Sequence, residues 1–137
     1  MSVPIFRQLR FYVPYAWRFA VLRHPAPVIY GLAITDRCSM SCQGCRVSNT
    51  GRPDMSWSQI VDAMTSAFAR GFRELYLSGG EPTLWREGAR TMEDIVTEAR
   101  RLGFFHVHVY TNGLQGLRTS ADLVWVSMDG LPGTFER

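Results

Sequence analysis

The chain contains no lysine: all fifteen of its basic residues are arginine, against twelve acidic residues, for a net charge of +3 over 137 residues. So small a net charge, with no arginine-rich run interleaved with aromatics, indicates a compositional bias and no nucleic-acid partner. No apolar run reaches the ~18 uncharged residues that a membrane span requires, because Arg7, Arg10, Arg18 and Arg23 interrupt the aromatic-rich N-terminus. That segment also lacks a compact apolar stretch followed by a small-residue cleavage site, so no secretory signal is expected in it. Cysteine is scarce as well. Three residues cannot make a complete set of disulfides, and without a leader their clustering fits a reducing cytoplasm and a metal or cluster.

What is there divides the chain in two. Residues 1–27 read as an amphipathic helical extension in which Pro14 is expected to break or kink any helix. It either packs on the domain that follows or, through residues 3–23, meets a membrane surface or a partner. His24-Pro25-Ala26-Pro27 is a stiff joint, and residues 28–137 form the core domain. There, Val28 to Ile34 (VIYGLAI) predicts a strand buried on both faces of a parallel sheet. Ser56 with Gln59 fits a capping box, Ile60, Met64 and Phe68 follow at helical spacing, and Gly71 stops the helix. Glu74 to Leu77 predicts a second strand, and Thr91 caps a second helix bearing Ile95, Val96, Ala99 and Leu102 on one face, with Gly103 as its stop. His106 to Tyr110 and Leu123 to Val126 predict the third and fourth strands.

A faint repeat supports this division. ARGFRELYLSGG, from Ala69, aligns with RLGFFHVHVYTN, from Arg101, each reading helix end, Gly-Phe, strand, loop. The expected fold class is α/β: a partial (β/α) TIM-type barrel of about four parallel βα units, apparently cut short after its fourth strand. Only Gly113 to Asp122 join the third strand to the fourth, room for a stub of helix at most. One sheet edge should therefore stand open.

In a parallel sheet the strand ends share one rim, and here all four bear unusual residues: three cysteines, Gly79-Gly80-Glu81-Pro82, Thr111-Asn112-Gly113 and Ser127-Met128-Asp129-Gly130. The stretch Thr35 to Val47 (TDRCSMSCQGCRV) holds Cys38, Cys42 and Cys45. A structural zinc site wants a closed tetrahedron, and the fourth ligand is hard to find. His24 precedes the first strand, and His106 and His108 lie at the start and middle of the third, away from the rim. A cubane iron–sulfur cluster is ordinarily held by four thiolates. Three thiolates would leave one iron open to an outside ligand.

At this point the sequence resembles the radical S-adenosylmethionine (SAM) enzymes. Cys38-Ser39-Met40-Ser41-Cys42-Gln43-Gly44-Cys45 fits their CxxxCxxC signature, GGEP follows one βα unit later, and TNG and SMDG resemble their third and fourth loops. The resemblance runs from about Val28 to Gly130. It implies a 4Fe-4S cluster held by Cys38, Cys42 and Cys45, whose open iron is chelated by SAM. It also implies reductive cleavage of SAM to methionine and a 5′-deoxyadenosyl radical that takes hydrogen from a small-molecule or peptide substrate, with reduced flavodoxin or ferredoxin as electron donor. Gly79, Gly80, Glu81 and Pro82 would border the methionine moiety, with Glu81 accepting from its ammonium, and Asn112 and Ser127 would contact ribose or carboxylate. The alternative is a non-catalytic remnant or subunit that binds cluster and SAM but needs a partner chain to complete the barrel.

Several residues keep two readings. Asn112-Gly113 also fits a plain turn and Ser127 a polar strand end, while Asp129 either faces substrate or caps a helix. His106 and His108 share one strand face and read as packing or hydrogen-bonding residues. Trp57, Trp85 and Trp125 read as packing. Gly44 departs from the family, whose residue before the last cysteine is usually aromatic and borders the adenine.

Overall fold

A computed structural model describes residues 4–23 and 27–128. Helix α1 spans Ile5–Leu22, and strand β1, Ile29–Thr35, leads through a long loop to α2, Trp57–Ala69. Strand β2, Glu74–Gly79, a 3-10 turn at Pro82–Leu84 and the two-residue strands β3, Arg86–Glu87, and β4, Arg90–Thr91, come next. Helix α3, Met92–Leu102, and strands β5, His106–Thr111, and β6, Leu123–Val126, complete the order. The sheet runs β1-β2-β5-β6 with every neighbouring pair parallel. This is the α/β fold expected: consecutive parallel strands with alternating helices, a partial TIM-type barrel.

One face of the sheet carries the core. Leu32, Ile34, Leu75, Leu77, Val107 and Val109 alternate onto it and meet Ile60, Met64 and Ala67 of α2 and Ile95, Val96 and Ala99 of α3. Each fully buried aliphatic side chain there stabilises the fold by about 1.5–3 kcal/mol. The opposite face is open. In β1 the alternate residues Ile29, Gly31 and Ala33 are exposed, so the strand is buried on one face and not two. Four strands do not close a barrel, and the face that a closed barrel would turn inward stays accessible. The two edges are β1 and β6.

Local signals behave largely as read. The Ser56 side chain accepts from the Gln59 backbone and Gln59 returns the bond at 2.8 Å, while Thr91 and Asp94 form the same reciprocal box at α3. Such a cap is worth about 1 kcal/mol. Gly71 and Gly103 follow the two helices at φ of 102° and 105°, a conformation that favours glycine. Pro14 does not break α1, which runs through it. Pro14 has no N–H to offer the Arg10 carbonyl, and the loss falls on an exposed turn of the helix, where solvent has access. No helix forms between β5 and β6 among the described residues. Instead α3 secures that linker, with Arg100 bonding Ser120 and Asp122 and Glu93 accepting from the Ser120 amide at 2.9 Å. The small β3–β4 ribbon was not foreseen; Glu87 ties it to the start of α2 by accepting from the Trp57 amide at 3.1 Å.

Helix α1 does pack on the domain. Tyr12 donates to the Glu74 carboxylate, and Phe11 and Tyr12 set their rings against Phe105 at 5.6 and 5.8 Å. These contacts lie at the start of β2 and β5, opposite the rim where the loops gather. Trp85 is fully buried and donates to the Met55 carbonyl at 2.8 Å. Trp125, by contrast, is exposed on the open face and donates to His108 Nδ1 at 3.3 Å, while His108 Nε2 and Glu74 lie 3.2 Å apart. His108 thus accepts a hydrogen bond from Trp125, and both His106 and His108 stand beside Glu74, away from the rim. His24, most of the proline joint, Asp129 and Gly130 lie outside the described residues.

Candidate functional site

The loop after β1 has no regular secondary structure and takes its shape from two polar anchors. The first is Asp36, buried beside the end of β1. Its carboxylate accepts from Thr50 Oγ1 at 2.9 Å and from the amides of Gly51 and Arg52 at 2.8 and 3.2 Å. Burial alone would raise its pKa; the hydrogen bonds from Thr50, Gly51 and Arg52 together outweigh burial and hold it below the usual carboxylate range. The second is Asn49, at a positive φ of 55°. Its Oδ1 accepts from the Cys38 amide at 2.9 Å, and its Nδ2 donates to the Cys38 and Met40 carbonyls at 3.3 and 3.1 Å. One side chain therefore clamps the first cysteine.

The turn after β2 closes onto this loop. Gly80 donates to the Thr35 carbonyl at 2.8 Å and Glu81 to the Arg37 carbonyl at 2.7 Å. A Cβ at Gly79 would stand 2.3 Å from the Thr35 oxygen, and one at Gly80 the same distance from that of Arg37. Loop-to-loop backbone contact is the first reason for both glycines. Glu81 is fully buried. Its Oε1 accepts from the hydroxyls of Thr83 and Thr111 at 2.6 and 2.7 Å, and its Oε2 accepts from the Asn112 amide at 2.8 Å. The carboxylate thus links the second loop to the third. Pro82 is buried beside it and starts the 3-10 turn.

Asn112 carries the linkage back to the cysteine loop, its Nδ2 lying 3.3 Å from Ser39 Oγ and 3.7 Å from Cys38 Sγ. Ser127 donates its amide to the Thr111 carbonyl at 2.9 Å and shares a 3.0 Å contact with the Tyr110 hydroxyl. A cavity of about 390 Å³ results. Among the residues on its wall are Cys38, Cys42, Cys45, Gly79, Gly80, Asn112 and Ser127. Glu81 and Pro82 are not among the residues that line it; the Glu81 carboxylate is taken up by Thr83, Thr111 and Asn112.

The donor chemistry fits an iron–sulfur cluster. Cys38 is half-buried and its sulfur accepts from the Met40 amide at 3.4 Å; Cys42 and Cys45 are exposed. The Ser48 hydroxyl, 3.2 Å from Cys45 Sγ, and then the Val47 amide hold the Cys45 thiol below its ordinary pKa, toward the thiolate that binds metal. Among the described residues no three such side chains converge on a point that would hold a single ion. Three thiols on the wall of one cavity suit a cubane, which offers each thiolate a different iron. Gly44 takes a φ of 85° at the cavity wall, where an aromatic residue would be strained.

The comparisons agree with this geometry. The family model described as the Radical SAM superfamily matches residues 32–128. The chain belongs to the radical SAM superfamily. It is similar to the GTP 3′,8-cyclase of Rhodopseudomonas palustris (strain TIE-1), 32% identical over 118 residues, which cover 77% of this chain and 34% of that protein. It is also similar to the sporulation killing factor maturation protein SkfB of Bacillus subtilis (strain 168), 29% identical over 122 residues, 81% of this chain and 28% of that protein. The chain thus spans about a third of the length of these curated relatives. The family implies SAM and a 4Fe-4S cluster in general.

A second cavity, of about 500 Å³, adjoins the first on the open face and shares Gly79, Val47 and Tyr110 with it. Tyr76, Ser78 and Arg52 also line it. The sequence reading missed Asp36, Asn49 and Arg37, whose guanidinium bonds Asp54 at 2.6 Å and the Leu84 carbonyl at 3.0 Å. Only one local sign was available, a charged Asp36-Arg37 pair directly after an apolar strand.

Proposed function

We propose that this chain forms the cluster- and SAM-binding half of a radical SAM enzyme, with Cys38, Cys42 and Cys45 as the iron ligands. The reading is carried by one observation: the three thiols share a single cavity with Gly79, Gly80, Asn112 and Ser127, brought from four strand ends. When bound, the reduced cluster and SAM supply reductive carbon–sulfur cleavage to a 5′-deoxyadenosyl radical that takes hydrogen from a substrate. The residues of the chain place and shield these groups. Asn112 and Ser127 offer polar contacts to the ribose or carboxylate of SAM, and the backbone of Gly79 and Gly80 lets it come close. The adjoining cavity suits a substrate with a polar or anionic group near Arg52, Tyr76 and Ser78. Burial, and then Tyr110, raise the Tyr76 pKa, so its hydroxyl stays a neutral donor. Reduced flavodoxin or ferredoxin would deliver the electron.

A second reading has a specific support. Tyr110, Leu123 and Trp125 are exposed on the sheet's open face, as suits a half-barrel closed by further strands before it turns over substrate. In that case the chain binds cluster and SAM without catalysis until its partner is present. Anaerobic reconstitution with iron and sulfide, then dithionite and SAM, tests both. A low-temperature EPR signal that changes with SAM, together with 5′-deoxyadenosine release, supports the enzyme. A SAM-responsive signal without release supports the subunit, and a signal indifferent to SAM rejects both. Cys42→Ala should abolish cluster and cleavage together.

A further inference from the structure

Helix α1 is not spent by its packing. Phe11, Tyr12 and Tyr15 turn toward the domain, whereas Phe6, Leu9, Val13 and Trp17, at three- and four-residue spacing, form an apolar stripe on another side. The stripe is fully accessible, with Phe6 75% and Trp17 64% exposed. No helix among the described residues is long and apolar enough to cross a membrane.

Charge says what covers the stripe. No aspartate or glutamate precedes Asp36, while Arg7, Arg10, Arg18 and Arg23 all do. An apolar stripe flanked by arginines alone is complementary to an anionic lipid surface. Furthermore, Arg10 and Arg18 join Arg70 around a cavity of about 290 Å³, walled by Phe11, Tyr15 and Pro14 and without an acidic residue on its wall. Guanidinium groups on an aromatic wall are suited to bidentate binding of phosphate. The Arg70 guanidinium already lies over the rings of Tyr30 and Phe72, at 5.9 and 5.5 Å, which fixes its position.

We propose that α1 is an in-plane membrane anchor: its Phe6–Leu9–Val13–Trp17 stripe enters the headgroup boundary of an anionic phospholipid bilayer, and Arg10, Arg18 and Arg70 hold a lipid phosphate. Long arginine side chains reach the headgroups while their stems stay against the apolar layer. The contacts of α1 at the start of β2 and β5 leave the cluster rim at the other end of the strands, facing away from the bilayer. The anchor is independent of the proposed chemistry.

Flotation of the full chain on vesicles tests this, with and without the reconstituted cluster. The chain should float with vesicles containing phosphatidylglycerol and not with phosphatidylcholine alone, and high salt should release it. Arg10→Gln and Arg18→Gln should each weaken binding about fivefold, the equivalent of ~1 kcal/mol per surface arginine. Trp17→Asp should abolish flotation without changing the circular dichroism spectrum, since the side chain is exposed. Equal binding to both vesicles, or none to either, overturns the proposal. So does a dimer that Trp17→Asp dissociates in a chain that never floats, because a second copy then covers the stripe. Inorganic phosphate bound at the arginines without flotation overturns it too.

Discussion

The two loops that face each other across the cavity are built on opposite plans. The turn after β2 is rigid from within: Glu81, Pro82 and Trp85 are buried, and the Glu81 carboxylate is bonded to Thr83, Thr111 and Asn112. The cysteine loop is fastened mainly near its base, by Asp36, Arg37 and Asn49, and presents Cys42 and Cys45 exposed. The difference teaches which part of the site the chain stabilises alone. The GGEP turn is a frame that folding completes, whereas the cysteine tips are positions that a ligand would complete. If so, substitutions in the frame should cost stability before they cost chemistry, and those at the tips the reverse.

The largest effect is expected at Gly79. Alanine there would meet the Thr35 oxygen at 2.3 Å and also adopt a φ of 130°. The clash and the backbone strain together should cost about 4 kcal/mol in denaturant unfolding of the apo-protein. A loss below about 1 kcal/mol would show that the two loops do not pack as described. Glu81→Ala comes next. It strands the Thr111 hydroxyl and the Asn112 amide in a buried place, which should cost about 3 kcal/mol, with Glu81→Gln recovering part of it. Full recovery by Glu81→Gln would mean that the side chain's volume matters and the carboxylate's paired hydrogen bonds do not.

How far the sequence disclosed this frame depends on the range of the interactions. The caps at Ser56 and Thr91 were legible because donor and acceptor lie three residues apart, and the glycine stops because φ is a property of one residue. The cysteine spacing and the Gly79-Gly80 pair were legible for the same reason, and these residues line one cavity. What Glu81 does was not legible: its partners Thr111 and Asn112 lie about thirty residues on and meet it only across paired strands. Asn49 is a similar case, since a polar residue in a loop looks the same whether it clamps Cys38 or faces water. Of the two outcomes expected at Pro14, a break did not occur: α1 is continuous through it, because one missing N–H and a local ring clash can be absorbed by an 18-residue helix. The burial of strand β1 on both faces was misread, because an apolar run does not show whether one face of the sheet or both are covered.

Acid should separate the two plans by a middling effect. The Asp36 and Asp54 pKa values lie below those of free carboxylates. For Asp54 burial acts upward, and is outweighed by hydrogen bonds from Thr35 and Arg37 and by the Arg37 charge. Folded values below unfolded ones stabilise the protein fully above about pH 4, and that stabilisation is lost as pH falls through the folded values. Asp36→Asn should therefore flatten the acid limb of a stability–pH curve. An unchanged limb would show that Asp36 does not anchor the loop. Asn49→Ala, at an exposed position, should cost only about 1 kcal/mol of stability, yet weaken cluster retention measured by iron content, because the Cys38 backbone loses its clamp.

The smallest effect on folding is the most discriminating. Cys42 is exposed, and no hydrogen bond among the described residues involves its sulfur. Cys42→Ala should leave apo-protein stability within about 0.5 kcal/mol of the parent, while reconstitution yields no complete cubane by absorbance or EPR. The contrast with Gly79→Ala is then sharp, one variant losing stability before any ligand is added and the other losing an iron ligand at little cost in stability. If Cys42→Ala instead destabilised the apo-protein by several kcal/mol, the thiol would be part of the frame, and the division between a folded turn and a ligand-completed loop would fail.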